Sequence, residues 1–455
     1  MTPADCQQLH EISLRILEEI GVRLEHDRIV ERMLKAGARP GAGSYDIRFP
    51  REMVQEQLAC APRAVELADR GRSGVTRLTQ NSPSVYWTSP AMYFWTGAER
   101  RALTSDDLGN IARLCEGLEQ VQGIMGAALA DVPPPCRDFT GLRVIAENSR
   151  KHIRVLCFTP PGMEALKEMK AVFPGNWFSI GFTAHGPLRW TNLALDIFLK
   201  SAGAGIPTTI NGEPMAGVTG PVSLAGTLAI GNAEILSGIV VNQVLEPGRP
   251  VIYNLGLAHV FDMKHATAVT GGPENALFAK ASAELGRFYG LPSSSWVSTE
   301  ALFEDEQAAL EKMFGFHTHT ANGVSLVWGM GQLESEMTIS LGQLVIDNEM
   351  IGYVKRYERG FTVDPANLQY DLIRATGISG SFLEAEHTLA SFREHLFEPR
   401  VLNRGGRGAC AETLAEVARR QAAAIIAADQ ETKIDAAELA ELRRIEQKYR
   451  ELLAK

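Results

Sequence analysis

The segment from Gly205 to Gly256 decides the fold and reads GIPTTINGEPMAGVTGPVSLAGTLAIGNAEILSGIVVNQVLEPGRPVIYNLG. A β-branched run ends at Asn211, a glycine-rich turn and an apolar helix of about twenty residues follow, and a second β-branched run opens at Pro250. This order predicts a strand, a crossover helix and a second, parallel strand. Glu213 is the single acidic side chain between Asn211 and the turn. It is expected at the carboxyl end of the first strand, where barrel enzymes carry their chemistry.

The same alternation of short apolar runs and helical patterns continues along the chain from residue 122. The other runs are GIMGAALADV at 123–132, IRVLCFTP at 153–160, WFSIGFTAHGPL at 177–188, VIYNLGLAHV at 251–260, SSSWVSTEA at 293–301 and SLVWGMGQLES at 325–335. Seven strand and helix pairs in sequence favour an α/β fold closed into a (β/α)8 TIM barrel over an open sheet. No GxGxxG follows the first strand, which disfavours a dinucleotide-binding fold.

Three regions are predicted from the change of pattern along the chain. Residues 1–120 read as a helical and irregular cap, with amphipathic helices from His10 to Ile20 and from Asp27 to Gly37. Residues 121–400 read as the barrel. Residues 401–455 are Ala-rich and charged, which predicts a C-terminal extension of one or two surface or inter-subunit helices.

Composition excludes several classes of function. The net charge is −9 with no basic stripe, so nucleic acid is not an expected partner. No signal-peptide pattern and no run of about eighteen apolar residues occurs, so we expect a cytoplasmic protein without a membrane span. The cysteines are widely spaced without a CxxC, which indicates a reduced compartment and disfavours a cysteine-based zinc site. They are Cys6, Cys60, Cys115, Cys136, Cys157 and Cys410.

Aromatic side chains are concentrated near predicted strands. Aromatic faces attract a quaternary ammonium, which has no N–H to donate, by about 0.5–2 kcal/mol per ring. Each ring also suits ordinary core packing. The aromatic residues are therefore compatible with a cation cage but do not establish one.

Polar candidates for chemistry are scattered along the chain. The strand ends carry Asp131, His185, Glu213 and Glu300, although a carboxylate there also suits a helix N-cap. His317 and His319 lie two residues apart on a predicted helix and do not share a face, so a metal site is not expected. Lys264 follows a predicted strand, where it suits either a Schiff base or, more simply, an exposed loop. The sequence has no GxSxG elbow and no P-loop.

Several ordered segments resemble the trimethylamine methyltransferase superfamily, corrinoid-dependent enzymes of methylamine and quaternary-amine metabolism. The resemblance covers nearly the whole chain. Its segments are Leu17-Glu18-Glu19-Ile20-Gly21-Val22, GVTGPVSLAGT at 217–227, Asn232-Ala233-Glu234, PGRPVIY at 247–253, Gly329-Met330-Gly331-Gln332-Leu333-Glu334, Asp347-Asn348-Glu349 and FLEAEHTL at 382–389.

The resemblance implies a TIM barrel whose top receives a separate corrinoid protein, with Co(I) cobalamin taking a methyl group from nitrogen. Archaeal trimethylamine enzymes of this family use pyrrolysine at the barrel mouth. This sequence has an ordinary amino acid throughout, and the equivalent site is placed near Glu304 to Gln307. It therefore resembles the branch that acts on quaternary amines, with glycine betaine first and proline betaine or carnitine as alternatives.

The reaction implied by this resemblance assigns the protein a positioning role. A quaternary nitrogen is already positive and becomes neutral as the methyl leaves, so neither a metal nor a general acid is needed, and no nucleotide cofactor is expected. The cage residues expected on this basis are Tyr93, Trp95, Phe182, Trp296 and Phe316. Glu213 is expected to balance the charge with an unperturbed pKa, and His317, Gln332 or Asn348 to orient the substrate.

Two other classes of function remain open on the sequence. One is a non-catalytic quaternary-amine binding protein that keeps the barrel. The other is a barrel lyase or aldolase that uses Lys264. The Ala-rich C-terminus and the acidic composition also suit a homo-oligomer.

Overall fold

The computed structural model describes residues 1–71, 74–406 and 411–454, and Cys410 lies outside the described residues. Eight parallel strands close into a barrel in chain order, and the last strand pairs with the first. The strands are β1 (Val85–Thr88), β2 (Val121–Met125), β3 (His152–Arg154), β4 (Phe178–Thr183), β5 (Thr208–Asn211), β6 (Val251–Gly256), β7 (Ser293–Trp296) and β8 (Leu326–Met330).

A helix follows each strand, which confirms the predicted TIM barrel. The helices are α1 (Ser105–Gly117), α2 (Arg137–Asn148), α3 (Met163–Lys170), α4 (Asn192–Ser201), α5 (Leu224–Leu245), α6 (Pro273–Tyr289), α7 (Glu306–Ala321) and α8 (Leu341–Arg359). Helix α5 is long and apolar enough to cross a membrane, but most of it is buried inside the chain. It is a wall helix of the barrel.

The barrel starts and ends earlier than the sequence analysis predicted. Strand β1 lies within 1–120, which was assigned to the cap, and α8 ends well before residue 400. A strand pair, Tyr93–Trp95 with Arg100–Ala102, is inserted between β1 and α1. It interrupts the strand-then-helix pattern in the sequence, so β1 was not recognised as a barrel strand. Residues 360–400 instead form three short helices with no buried residue, Pro365–Leu368, Tyr370–Thr376 and Glu386–His395.

The amino-terminal residues pack on the outside of the barrel, mainly against α5. They form helices Pro3–Arg15, Asp27–Lys35 and Arg51–Cys60, and short strands Val22–Leu24, Arg39–Pro40 and Asp46–Arg48, which continue a sheet with Arg189–Trp190. A hairpin of Ala64–Ala68 and Val75–Thr79 closes the bottom of the barrel. The Ala68 amide donates to the Asn176 carbonyl before β4 at 2.9 Å, and the Ser325 hydroxyl before β8 donates to the Thr79 carbonyl at 2.8 Å.

Two helices of the C-terminal extension pack on the outside of the barrel. Helix α9 (Leu414–Ala428) contacts α1 and α8, and α10 (Ala436–Leu453) contacts α2 and α3. Ala418 and Ala422 of α9 and Leu442 and Ile445 of α10 are buried in these contacts. The charged faces of both helices remain outside.

Alternation along the strands separates the interior of the barrel from the helix layer. On β4, Phe178, Ile180 and Phe182 pack in the main core with the helices. The side chains between them, Ser179 and Gly181, therefore face the barrel interior. The interior has its own apolar cluster, which includes side chains of the bottom hairpin and tryptophans from β1, β7 and β8.

Candidate active site

The carboxyl ends of the strands open into a mouth that long loops partly cover. A hairpin in the loop after β8, residues 332–340, pairs with Tyr93–Trp95 in a four-stranded sheet over one side of the mouth. We refer to residues 332–340 as the flap. On another side, Met215–Ala216, His259–Asp262 and Thr267–Val269 form a three-stranded sheet.

Glu213 lies in the mouth, two residues beyond the end of β5, and is partly buried. Its carboxylate has no hydrogen bond and no ion pair within the described part of the chain. Burial raises the pKa of Glu213 to about 7. This corrects the expectation of an ordinary pKa, because the turn after β5 holds the carboxyl below the surface without a donor to stabilise its charge.

Glu336 is a second acid of the mouth, which the sequence analysis did not identify. It lies at the tip of the flap, and burial together with the charge of Glu213 raises the pKa of Glu336 well above its ordinary value. The two carboxyls are therefore close enough to repel each other when both are ionised.

The backbone of the flap tip is held in an unfavourable conformation. Glu334, Ser335 and Glu336 have φ values of 54°, 49° and 77°, a region that residues other than glycine rarely occupy. The Glu334 and Ser335 amides donate to the carbonyls of Ala301 and Thr299 at 2.8 and 2.9 Å. These contacts with the loop after β7 stabilise the turn that places Glu336 over the mouth.

Gln332 supports the flap from below. With its amide oriented so that both ends are satisfied, Gln332 donates to the Val297 carbonyl at 3.0 Å and accepts from the Glu336 amide at 2.5 Å. Its side chain is buried, so it positions Glu336. A catalytic role for Gln332 remains a prediction.

A buried ion pair fixes the base of the flap. Lys312 on α7 lies 2.8 Å from Asp347 on α8, and both side chains are fully buried. The Lys312 ammonium also donates to the carbonyls of Gly329 and Gln332, and the Asp347 carboxylate accepts from the Gly331 amide at 2.7 Å. The end of β8 is thus held from both helices.

Tryptophans form the apolar part of the site. Trp296 at the end of β7 and Trp328 on β8 have ring centroids 5.4 Å apart, and Trp87 on β1 belongs to the same interior cluster. Gly123 on β2 makes room for Trp87, because an added Cβ would lie 2.4 Å from its indole nitrogen. Trp296 is one of the five predicted cage residues, and Trp87 and Trp328 are not among those five.

Amides line the wall between β4 and β6. The Asn254 amide donates to Asn211 at 2.9 Å, and the Asn211 amide donates to the Thr183 hydroxyl at 3.0 Å. Glu234 on α5 lies behind Glu213. One oxygen of Glu234 accepts from the Leu188 amide, and burial raises the pKa of this carboxyl to about 7.

Tyr93 and Trp95 lie in the sheet beside the mouth, where other groups already cover their rings. The Arg100 guanidinium lies 3.4 Å from the centre of the Tyr93 ring. Trp95 packs edge-on against Phe303 at 5.2 Å. The structure does not bring these two predicted cage residues together with Trp296.

Phe182 and Phe316 lie outside the strand wall. Phe182 stacks on Phe198 of α4 at 3.5 Å between ring centres, and Phe316 on α7 packs against Tyr86 at 6.3 Å. Both are therefore part of the core between the strands and the helices. Their rings are not available to a ligand in the mouth.

His317 and Asn348 lie on helices far from the mouth. His317 is in the last part of α7, with its side chain 43% exposed and its ring 5.2 Å from Tyr357. Asn348 on α8 accepts from the Gln120 amide at the bottom end of β2. Neither residue is placed to orient a substrate at the carboxyl ends of the strands.

The other strand-end candidates have structural partners. Asp131 accepts from the Ser105 amide and hydroxyl at the start of α1, and Glu300 accepts from the Thr270 and Gly271 amides. His185 is exposed. The contacts of Asp131 and Glu300 fit the structural alternative, in which a carboxylate at a strand end caps a helix or a loop.

The segment from Glu304 to Gln307 begins α7 beside the mouth. Glu304 forms an ion pair with Arg419 of α9, and Asp305 caps α7 by accepting from the Gln307 amide at 3.0 Å. Lys264 is exposed in a hairpin turn. Within the described ranges, no group of three or more His, Cys, Asp or Glu side chains is arranged to hold a metal ion.

Comparison with known protein families identifies the family of this chain. The sequence model of the family described as trimethylamine methyltransferase matches residues 1–452. The chain belongs to the trimethylamine methyltransferase family. A relative named glycine betaine methyltransferase, from Desulfitobacterium hafniense strain Y51, is 30% identical over 92% of this chain and 90% of its own length. A trimethylamine methyltransferase from another strain of that species is 29% identical over 85% of this chain and 80% of its own length.

A solved structure supports the fold of this family member. The monomethylamine methyltransferase of Methanosarcina barkeri has a TM-score of 0.51 and 13% identity, and the match covers 93% of this chain and 92% of that one. Together with the closed barrel, this likeness establishes the fold. The two named relatives are about equally similar, so the family is shown to include betaine and methylamine methyltransferases without fixing the substrate of this chain.

Proposed function

We propose that this protein transfers a methyl group from a quaternary amine, most simply glycine betaine, to the Co(I) of a corrinoid carried by a separate protein. Glu213 and Glu336 carry the proposal. They are repelling carboxyls above a tryptophan floor, and no cation of the described residues forms an ion pair with either. A permanently positive ligand completes such a site, because it neutralises the acids and needs no acceptor for an N–H.

The charge change of the reaction fits this pair of acids. When the C–N bond breaks, the nitrogen keeps the electron pair, the methyl is transferred to the acceptor, and the amine becomes neutral. The bound cation favours ionised Glu213, whereas the neutral product removes that preference. Binding is thus stronger before transfer than after it, which favours product release.

The methyl acceptor must reach the mouth from outside, and the rim of the mouth offers an apolar surface. Exposed side chains project from the loops after β1, β3, β5, β6 and β7. They are Met92, Phe158, Val218, Val222, Met263 and Phe303. We define these six residues as the rim. Exposed apolar side chains around one opening are typical of a protein interface, so we propose that the corrinoid protein docks here.

Substitution of the rim separates docking from chemistry. We expect Phe158→Asp together with Val222→Asp to lower methyl transfer to the corrinoid protein by about tenfold or more. Transfer to free Co(I) cobalamin should be unchanged, because neither residue lies in the mouth. Phe361→Asp is the control, since Phe361 is even more exposed than the two rim residues but follows α8, away from the mouth. Equal loss with both acceptors would contradict docking at the rim.

An anaerobic assay tests the function itself. Methylation of free Co(I) cobalamin is followed by absorbance with glycine betaine, proline betaine, carnitine, choline and trimethylamine as donors. We expect product from a betaine and none from trimethylamine. Product from trimethylamine alone would overturn the proposed substrate class. Tight betaine binding without methyl transfer would instead support the alternative of a non-catalytic binding protein. A lyase or aldolase at Lys264 predicts borohydride trapping at that residue instead.

The homo-oligomer and the cytoplasmic location stay predictions. The candidate surface for self-association is the segment 360–396, whose short helices contain no buried residue and expose large apolar side chains such as Tyr370, Ile373 and Leu389. Isolated helices this short are marginal in water, so a covering partner would stabilise them.

A further inference from the structure

Arg154 is a buried cation that has no acidic partner among the described residues. It is the last residue of β3, and its exposed fraction is 8%. No carboxylate forms an ion pair with it anywhere in residues 1–71, 74–406 and 411–454. Burial lowers the pKa of Arg154 to about 10, so the guanidinium is still charged at neutral pH.

The guanidinium lies inside the barrel. His152, two residues earlier on the same face of β3, stacks on Trp87 of the interior cluster at 5.3 Å. Arg154 therefore faces the same interior one layer nearer the mouth. It crosses over Gly181 of β4, because a Cβ added there would lie only 1.7 Å from Arg154 Nη2.

Part of the guanidinium is free to bind a ligand. Nη1 donates to the Val155 carbonyl at 2.7 Å. Nε and Nη2 have no partner among the described residues, and they keep contact with solvent. The buried Arg249, by contrast, donates to the Ile206 carbonyl and the Ser201 hydroxyl and lies 3.6 Å from Glu246.

The mouth is therefore polarised. A cation with free donors lies on β3, one acid lies just beyond the end of β5, and the other lies in the flap after β8. Guanidinium donors match the two oxygens of a carboxylate. We infer that Arg154 binds a carboxylate of the substrate, so that the mouth selects zwitterionic betaines over amines that lack an acid group. This inference rests on the proposed function and identifies the residue that sets its substrate class.

Binding of two matched ligands tests the inference. Glycine betaine and choline share the trimethylammonium group and differ in a carboxylate against a hydroxymethyl group. We expect calorimetry to show glycine betaine binding the unmodified protein far more tightly than choline. Arg154→Gln should weaken glycine betaine binding by about 100-fold and change choline binding less than threefold.

A second variant moves the guanidinium without removing it. Gly181→Ala places a methyl group where Nη2 lies, and the flexible arginine must shift away. It should also weaken glycine betaine selectively. Gly141→Ala on α2 is the control, because its added Cβ would meet neighbours no closer than 3.7 Å. Thermal unfolding of each variant confirms that it is folded.

The outcomes separate this inference from the proposed function. Choline binding as tightly as glycine betaine, or equal loss of both ligands in Arg154→Gln, would overturn the carboxylate site while methyl transfer could still occur. Failure of glycine betaine and of carnitine to bind at all would also overturn it. Arg154-dependent betaine binding without methyl transfer to Co(I) cobalamin would retain the carboxylate site and overturn the enzyme.

Discussion

Replacing Glu213 with glutamine is expected to weaken glycine betaine binding by about 10- to 100-fold at pH 8. At that pH most of the Glu213 carboxyl is ionised, since burial raises its pKa to about 7. The ammonium then loses a partly buried opposite charge in the variant. Isothermal titration calorimetry measures the change directly.

The pH dependence of binding should change as well. Below its pKa the free carboxyl of Glu213 is protonated, and the cation must displace that proton, so affinity falls as pH falls. Between pH 8 and pH 6 we expect glycine betaine affinity of the unmodified protein to fall by about tenfold from this group. In Glu213→Gln this step should disappear, and proton release on binding should decrease.

Asp131→Asn is the control for the loss of one negative charge at this end of the barrel. Asp131 is exposed and caps α1, so its substitution should leave both affinity and pH profile within about threefold. If Glu213→Gln binds glycine betaine like the unmodified protein at pH 8, the carboxyl is structural and the proposed site fails.

Unfolding gives a further signature of Glu213 that does not depend on any ligand. Its folded pKa is raised above the unfolded value, so its contribution to stability is fully present below about pH 4.5 and is lost as pH rises through about 7. Glutamine cannot ionise. Glu213→Gln should therefore match the unmodified protein at about pH 4 and exceed its free energy of unfolding by about 1–3 kcal/mol at pH 8.5.

The barrel was largely predictable because buried parallel strands are short apolar runs with clear ends. The turn after Asn211 contains glycine and proline, and the helix after it is apolar on nearly every face, so β5 and α5 could be located closely. Strand β1 was missed because an inserted strand pair, rather than a helix, follows Val85–Thr88. Its pairing with β8 is a long-range contact that no local pattern reveals.

One acid of the mouth could be predicted and the other could not. Glu213 directly follows a strand, so topology alone places it at the mouth. Glu336 is six residues beyond the end of β8, and its position depends on three consecutive left-handed residues of which none is glycine. Those conformations come from contacts with the loop after β7, which the local sequence does not encode.

The direction of side chains explains why most predicted rings are not in the mouth. Phe182 and Gly181 are adjacent on β4, and strand alternation sends one to the helices and the other to the interior. Which of two alternating sets of strand residues faces inward depends on the whole barrel.

Distance along a helix excludes His317 from the mouth. His317 is the twelfth residue of α7 and lies about 16 Å below the start of that helix, too far to reach the mouth.

Replacing Lys312 with methionine is expected to lower the free energy of unfolding by about 3–5 kcal/mol, because Asp347 would remain as a buried charge without its partner. Urea unfolding measures this loss. The double variant Lys312→Met with Asp347→Leu removes both charges and should recover most of the stability. A single variant as stable as the unmodified protein, or a double variant less stable than the single one, would contradict this account.

Measuring glycine betaine binding then distinguishes the effect of the ion pair on stability from its effect on the position of the flap. The double variant lacks the hydrogen bonds from Lys312 to the carbonyls of Gly329 and Gln332, and from the Gly331 amide to Asp347. With the base of the flap released, the strained turn at Glu336 loses part of its support. We therefore expect the double variant to recover stability while its glycine betaine affinity stays about tenfold below that of the unmodified protein. Recovery of both together would mean that the ion pair stabilises the barrel alone and that Glu336 is positioned by its contacts with the loop after β7.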